Sequence, residues 1–476
     1  MKLPIPRNPI QSSKNNITYH TLQKFDFTEL KRWILDLREE LLATWTKNNI
    51  PPSIGRDKAK IINGFSKLNS YNVEKLWIED ENYPSQIGFI KNFSKLASPI
   101  NQFFPFMLKT KIKGKSVYDW FSDENLELMF VREIVRAVRF DKMYSFSKYL
   151  DEDFSKWYKK TNHENIGYWL EPQIREPSDG RTFLTIQDTK KLLKNKILEP
   201  FDFRNEVKIV GDEKTIGYKI RVYEKHQKVF PNIIQVFRLG FGQVAVNFPP
   251  LTSRLIYEKI FGEVEQEKYK IYDPCAGWGG RLLGALCSKK QIHYIGTEVN
   301  MNNKGCYERL GEFYNKNCGG SNTYEFYYEG AEEIHKNKKF KLHQGQIDLV
   351  FTSPPYFDRE VYDIDKTQSS IRFPIYSDWL DGFMKPMIST SYQYLKSNRY
   401  MLLNISDIKK NEIEYIPLEQ DTIELATNIG FQYVGSVGMV MARSVGLSTK
   451  DVKNSYFDES TMSDYKTEPI LVFHKE

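Results

Sequence analysis

From about residue 250 onward the chain alternates helical stretches with short apolar runs, and this alternation narrows its fold more than any other feature. A helix is predicted over Thr252–Phe261, then strand Lys270–Tyr272, helix Arg281–Cys287, strand His293–Gly296 and a Tyr-rich strand, Tyr324–Tyr328. Strand Ile347–Phe351, a helix around Trp379–Tyr394, strand Tyr400–Leu403 and a helix near Thr422 follow. Two further strands, Gln432–Val440 and Pro469–Phe473, close the chain. Apolar strands separated by helices are the pattern of a parallel sheet with crossover connections. The expectation is an α/β, doubly wound sheet of seven strands with a terminal hairpin. A length of 476 residues leaves room for one or two more domains.

The first half reads differently. Residues 1–16 are polar and rich in Pro, Asn and Ser, a loosely docked end. A helix is predicted from Thr28, with Leu30, Trp33, Ile34, Leu37 and Leu41 on one face and Lys31, Arg32 and Arg38 outside it. Asn48 to Pro52 breaks it, and a second short helix carries Ile61, Ile62, Phe65 and Leu68. Two helices and a turn admit a helix-turn-helix reading, against which ordinary helical packing is the plainer account. Pro177–Gly180 reads as a turn, Gln187–Leu198 as a short basic helix with Lys190, Lys191 and Lys194, and 205–240 as β-rich.

Charge follows the same division. Residues 1–240 carry 41 Lys and Arg against 30 Asp and Glu, and the remainder 27 against 31. A basic part beside a mildly acidic one suits a grip on a polyanion joined to a second task, although a generic soluble surface has the same balance. Two segments are candidates for phosphate contact. Lys109, Lys111, Lys113 and Lys115 alternate, which in extended chain puts four ammonium groups on one side, flanked by Phe103, Phe104, Phe106, Tyr118 and Trp120. Leu126–Phe140 reads as a helix with an apolar seam of Leu128, Val131, Val135 and Val138, and with Arg132, Arg136 and Arg139 on a neighbouring face. Either stripe alone is also what a solvated surface looks like. Their coincidence within 31 residues favours nucleic acid. The division that follows is a mixed α+β recognition region over 1–225 and a second domain over 226–476.

Several classes are excluded. No apolar run approaches the ~20 residues of a membrane span, and the opening residues Met1 to Arg7 lack the apolar core of a secretory signal. A soluble cytoplasmic protein without membrane contact is the expectation. Cys275, Cys287, Cys306 and Cys318 form no CxxC pair, and the seven His make no zinc-hydrolase or zinc-deaminase signature, so no metal is expected.

The chemistry sits in three short stretches. Asp273-Pro274-Cys275-Ala276-Gly277-Trp278-Gly279-Gly280 follows a strand and opens a helix, where doubly wound sheets bind nucleotides. Gly277 and Gly279 allow close backbone approach, and the leading Asp273 would repel a phosphate but suits an ammonium group. Glu298 ends the next strand 25 residues later, where a carboxylate accepts hydrogen bonds from two ribose hydroxyls. Gly330 and Ala331 end the third strand, where an adenine edge would lie. Asp348 to Phe357 then places Ser353-Pro354-Pro355-Tyr356 directly after a buried strand. Two prolines impose an extended corner that cannot continue the ladder. That corner offers a hydroxyl, a carbonyl and an aromatic face, the groups an exocyclic amine on a planar base requires.

In this order and spacing the motifs resemble the S-adenosylmethionine-dependent amino-methyltransferases of DNA, over about residues 245–475. The resemblance implies a Rossmann-like methyltransferase sheet, S-adenosylmethionine as cofactor and double-stranded DNA as partner. It implies cofactor contacts by Asp273, Pro274, Cys275, Gly277, Gly279, Glu298, Gly330 and Ala331. The stretch Asn247 to Thr252 is similar to the element that wraps the methionine end, so Phe248 and Thr252 join them. It implies that Ser353, Pro354, Pro355 and Tyr356 hold a flipped base. Cys275 departs from the bulky Phe usual there. Ser before Pro-Pro goes with cytosine N4 more often than adenine N6 in that family. A cognate restriction nuclease, or a defence or mobile-element assembly, is the kind of protein partner implied. RNA or protein amino-methylation uses related loops, and a non-catalytic DNA-binding relative is a third reading. A C5-cytosine enzyme is excluded, because its nucleophilic Cys would have to lie beyond Cys318, where the sequence has none.

Overall fold

The protein is seen in a computed structural model that describes residues 17, 21–22, 25–48, 58–79, 86–91, 98–112, 115–131, 134, 247–262, 266–362, 366–409, 415–441, 455–458 and 463–476, and the backbone of strands 166–174, 184–185, 207–210 and 216–224. The chain divides into two compact units that interleave in sequence. One comprises residues 1–8, 56–116 and 244–476, the other 9–55 and 117–243. The expected division ran at residue 225. Residues 56–116 instead fold in the same unit as the predicted sheet.

That unit is built on ten strands. They are β1 (Trp77–Ile78), β2 (Gln86–Lys91), β3 (Tyr269–Asp273), β4 (Ile292–Thr297), β5 (Thr323–Tyr327), β6 (Ile347–Thr352), β7 (Leu395–Asn404), β8 (Gln432–Val440), β9 (Ser455–Asp458) and β10 (Ser463–Lys475). Their order across the sheet is β1-β2-β8-β10-β7-β6-β3-β4-β5, with β9 paired to β10. Strands β5, β4, β3, β6 and β7 are parallel, whereas β10 runs antiparallel between β7 and β8. The seven predicted strands are all present. Counted in chain order, they run third, second, first, fourth, fifth, seventh, sixth, the order of a Rossmann-like methyltransferase sheet. The path reverses between β3 and β6, the switch point at which such sheets bind ligands.

The central strands are covered on both faces, and every residue of β6 is buried, as parallel strands under helices must be. Helices α3 (Pro250–Phe261), α4 (Gly280–Leu286), α6 (Lys385–Tyr394) and α7 (Leu418–Ile429) match prediction within a few residues, whereas α5 (Cys306–Cys318) was not foreseen; α1 (Phe27–Asn48) and α2 (Lys58–Ser70) lie earlier in the chain. The stretch predicted as one helix from Trp379 divides into a turn at Tyr376–Trp379, a π-turn at Leu380–Met384 and then α6.

Residues 56–116 are tied in by backbone and by charge. Strand β2 lies parallel on β8 and extends the sheet. Arg254 of α3, fully buried, donates to the carbonyls of Leu68 (2.7 Å), Asn69 (3.0 Å) and Tyr71 (3.3 Å). These include the carbonyls that α2 leaves unpaired at its end.

In the second unit, α1 buries Leu30, Trp33, Ile34, Leu37 and Leu41 as predicted. Arg38, predicted outside that face, is 8% exposed because Trp120 and Asp123 offer it carbonyls at 3.2 and 2.7 Å and Glu127 pairs with it. Of the predicted apolar seam Val131 is buried, Leu128 is 70% exposed because Leu126, Phe130 and Ile134 take the buried face at i, i+4, i+8, and Val135 and Val138 lie outside the described residues. Helices α1 and α2 belong to different units. Strand 166–174 pairs antiparallel with 216–224, which pairs with 207–210. The predicted helix 187–198, the turn 177–180 and the segment 225–240 lie outside the described residues.

Candidate active site

The glycine loop leaves the end of β3 and returns as α4. Asp273 at its root is fully buried, and both of its carboxylate oxygens are engaged. Oδ2 takes Arg281 Nε at 2.7 Å and the Tyr294 hydroxyl, and Oδ1 takes Arg281 Nη2 and the Cys275 amide, each at 3.3 Å. Arg281 also donates to the Cys275 carbonyl. The charge that the sequence offered to an ammonium group is therefore matched by a guanidinium, and Asp273 acts as the clamp of the loop. The Thr297 hydroxyl donates to the Pro274 carbonyl, and the Ala276 amide to the Thr297 carbonyl at 3.0 Å, which fixes the loop over the end of β4.

Gly277 and Gly279 have φ of 59° and 75°, a region that favours glycine. A Cβ on Gly279 would stand 2.7 Å from the Phe104 ring, and one on Gly280 would run into the Phe248 carbonyl. The loop is thus packed between α3's entry and the 98–110 stretch, where Asn101 and Asn247 share a hydrogen bond of 2.8 Å. Phe248 sets its ring 5.3 Å from Phe351 and beneath Arg281 at 5.5 Å. Thr252 is fully buried, and its hydroxyl has no hydrogen-bond partner among the described residues.

Glu298 is half-buried at the end of β4. Its Oε1 accepts from the Asn300 amide at 2.8 Å and its Oε2 from Tyr307 at 2.9 Å. Burial pushes its carboxyl above the ordinary value, against those hydrogen bonds. Tyr307 has one proton and two acceptors, Glu298 and the Gly277 carbonyl, so it joins the ribose candidate to the glycine loop. Ala331 is in the core with Tyr272 and Ile295, Cys275 packs against the same cluster, and Gly330 stands against the Glu332 carboxylate. Burial pushes Glu332 up, and Arg372 at 2.8 Å opposes it. Burial, then Asp273 and Glu298, push the Cys275 thiol well up, which keeps it a thiol rather than a nucleophile.

The Ser-Pro-Pro-Tyr corner begins where β6 ends. Thr352 Oγ1 accepts the Cys275 amide at 3.0 Å, so the two motifs, separated by 77 residues in sequence, are joined by one hydrogen bond. Pro354 is buried, while Ser353, Pro355 and Tyr356 are half-buried. Phe357 follows with φ of 47°, unusual for a bulky residue. Its ring, 5% exposed, is held 5.4 Å from Tyr376 and 5.7 Å from Trp379. Strain of this kind persists where packing over-determines the turn, and here it turns the chain sharply after Tyr356. Glu360–Val361 then pair antiparallel with Lys111–Ile112, and Tyr362 lies 6.2 Å from Trp278 of the glycine loop.

Phe248, Thr252, Asp273 to Gly279, Glu298, Gly330, Ala331 and Ser353 to Tyr356 are therefore carried by elements that meet at the carboxyl edge of β3, β4 and β6. Lys109, Lys111 and Lys115 belong to the same unit, but not in one extended run. Lys109 ends a 3-10 turn (Pro105–Lys109), with its ammonium 5.5 Å over Phe106, and only Lys111–Ile112 is strand. Lys113, Arg132, Arg136 and Arg139 lie outside the described residues. Sequence reasoning missed Arg281, Tyr307 and Phe104. The stripe Tyr307, Leu310, Tyr314 was the signal for α5, and with it for Tyr307.

S-adenosylmethionine, which the resemblance implies, fits these residues. Gly277 and Gly279 carry no Cβ at two points of the loop, the Thr252 hydroxyl is buried with no hydrogen-bond partner among the described residues, and Glu298 keeps acceptor capacity. Among the described residues no group of three or more His, Cys, Asp or Glu could hold a metal ion, and no helix is long and apolar enough to cross a membrane.

No family model and no curated protein matches the chain. Solved structures similar to it include a protein of Thermus thermophilus assigned as a DNA modification methylase, at 16% identity over 31% of this chain and 50% of that one, with a TM-score of 0.21. The chain thus spans half of that protein's length. A SAM-dependent methyltransferase of Methanosarcina mazei aligns at 13% identity over 46% of this chain and 96% of its own, with a TM-score of 0.27. TrmN, also of Thermus thermophilus, aligns at 10% identity over 61% and 66%, with a TM-score of 0.33.

Proposed function

We propose that this protein is an S-adenosylmethionine-dependent DNA methyltransferase that modifies an exocyclic amino group of a flipped base, cytosine N4 ahead of adenine N6. The observation that carries the reading is the hydrogen bond from the Cys275 amide to Thr352 Oγ1, which brings a glycine loop and a Ser-Pro-Pro-Tyr corner into one cleft. S-adenosylmethionine, held by the glycine loop, Phe248, Thr252 and Glu298, supplies an electrophilic methyl group. The chain's own work is positioning. The Ser353 hydroxyl and Pro354 carbonyl accept the two hydrogens of the amine and so direct its lone pair. Tyr356 stacks on the base and offsets part of the few kcal/mol that flipping costs. Ser353 has a shorter reach than a carboxylate or carboxamide and carries no charge, which suits a smaller base seated deeper. Lys109, Lys111, Lys113 and Lys115 are the phosphate contacts of this reading, and of these Lys111 pairs with Val361 five residues beyond Tyr356.

The test is incubation of the purified chain with S-adenosylmethionine and DNA, then digestion to nucleosides and mass spectrometry. N4-methylcytosine is expected. N6-methyladenine as the sole product overturns the base assignment and leaves the enzyme class standing. Methyl groups found only in RNA or protein overturn DNA as substrate, and absence of S-adenosylmethionine binding overturns the enzyme.

A further inference from the structure

The ring assigned to base stacking is held from across the sheet. The Tyr356 hydroxyl donates to Oε1 of Glu468 at 2.7 Å, between two half-buried side chains 112 residues apart. The topology explains the meeting. Thr352 is level with Leu403, Leu403 with Leu471, and Asn404 with Ile470. Because β10 runs antiparallel, its entering residues stand at the edge where β6 and β7 end. Glu468 lies two residues outward of Ile470, and Tyr356 four residues outward of Thr352, so both project past the same carboxyl edge. The strand under Glu468 is firmly set. Thr467 is 1% exposed, Pro469 is buried, and the Asn404 amide donates to the Pro469 carbonyl at 3.0 Å.

Tyr356 follows two prolines that fix its backbone and precedes a left-handed Phe357. The ring packs against the core cluster that holds Phe357 and Trp379, and the phenol at its far end is where Glu468 acts. An O–H···carboxylate bond is stronger than a neutral one, and a hydrogen bond at the tip resists tilting of the ring plane. We propose that Glu468 is a positioning residue, which fixes the Tyr356 ring against the incoming base and so sets turnover without touching the cofactor. This inference rests on the proposed function, because it needs a base at Tyr356.

The experiment compares methyl transfer to DNA by the wild type, Glu468→Ala, Glu468→Gln, Tyr356→Phe and the Tyr356→Phe/Glu468→Ala double variant. Loss of one such hydrogen bond corresponds to about tenfold in kcat. Glu468→Ala and Tyr356→Phe are each expected to fall by about that factor, with KM for S-adenosylmethionine and thermal melting unchanged. The double variant should be no slower than either single one, because both remove the same bond. Glu468→Gln, which keeps an acceptor oxygen, should recover most of the rate and covers the case in which Glu468→Ala fails to fold. Wild-type turnover in Glu468→Ala, a fully multiplicative double variant, or a Gln variant as slow as Ala overturns the inference and leaves the methyltransferase standing. A wild type that methylates no nucleic acid overturns both.

Discussion

Arg281→Met isolates the clamp beneath the glycine loop. The Arg281 side chain is 5% exposed and the Asp273 side chain is fully buried, with Nε and Oδ2 2.7 Å apart. Removal of the guanidinium leaves a carboxylate in the core with the Tyr294 hydroxyl and the Cys275 amide, and takes a donor from the Cys275 carbonyl. Breaking a buried pair by deleting one partner costs about 3–5 kcal/mol, because the other charge stays buried and uncompensated. At roughly 2–4 °C per kcal/mol for a sizeable domain, the melting temperature should fall by something on the order of 10 °C. Asp273→Asn/Arg281→Met removes both charges and should recover a substantial part of that loss, since the desolvation of a lone carboxylate is gone. Thermal unfolding followed by the fluorescence of Trp278 and Trp379, both buried in this unit, reads the effect. A single variant within about 1 °C of wild type, or a double variant no better than the single one, would refute the reasoning.

Ser353→Ala should retain S-adenosylmethionine binding by calorimetry and lose roughly 2–4 kcal/mol of transition-state stabilisation; full activity would sink the mechanism. Gly280→Ala should abolish cofactor binding, because its Cβ meets the Phe248 backbone, whereas Gly345→Ala, with open space around it and φ of 65°, should cost only about 1 kcal/mol of backbone strain. In the second of these a large loss, or in the first a neutral result, contradicts the packing of the loop. Hydrogen bonds from His293 and His343, at 2.8 and 2.9 Å, hold the Glu325 carboxyl well below the usual range. A lowered carboxyl stabilises the fold above its unfolded value near 4.5 and loses that contribution as pH falls toward its folded value. Glu325→Gln should therefore be less stable than wild type at pH 5–6, and the two melting curves should converge on acidification toward about pH 2.

The sheet and its two motifs were legible because each of their signals is local. β6 is buried end to end around an apolar centre, Leu349–Phe351, and Ser353 and two prolines follow it, the pattern of a buried strand with a rigid exit. The glycine loop likewise has its positive φ values written into Gly277 and Gly279. What escaped depends on partners distant in sequence. Asp273 suggested a ligand contact because Arg281 looked like the first turn of a helix, and nothing in the spacing says that its guanidinium folds back onto the loop. Tyr307 is an ordinary apolar position of α5 until the Gly277 carbonyl is brought to its hydroxyl. Glu468 lies 112 residues from Tyr356, and only the antiparallel direction of β10 makes them neighbours.

The same argument changes what the lysine segment can do. The basic charge and the aromatic flanks of residues 98–112 suggest a place in a separate recognition region. In the structure Phe104 packs against Gly279 and sets its ring 5.1 Å from Tyr307, Asn101 bonds to Asn247, and Lys111–Ile112 pair with Glu360–Val361. One short stretch therefore touches the loop that would hold the cofactor, the entry to α3 and the chain that leaves the base-binding corner. Under the proposed function, a phosphate gripped at Lys111 pulls on strand pairing that continues into the turn after Tyr356. Residues 56–116 therefore fold in the unit of the glycine loop and the corner, although their charge groups them with the basic first half of the chain. Under that reading residues 98–112 form a wall of the site, and Lys109 and Lys111 belong to that wall.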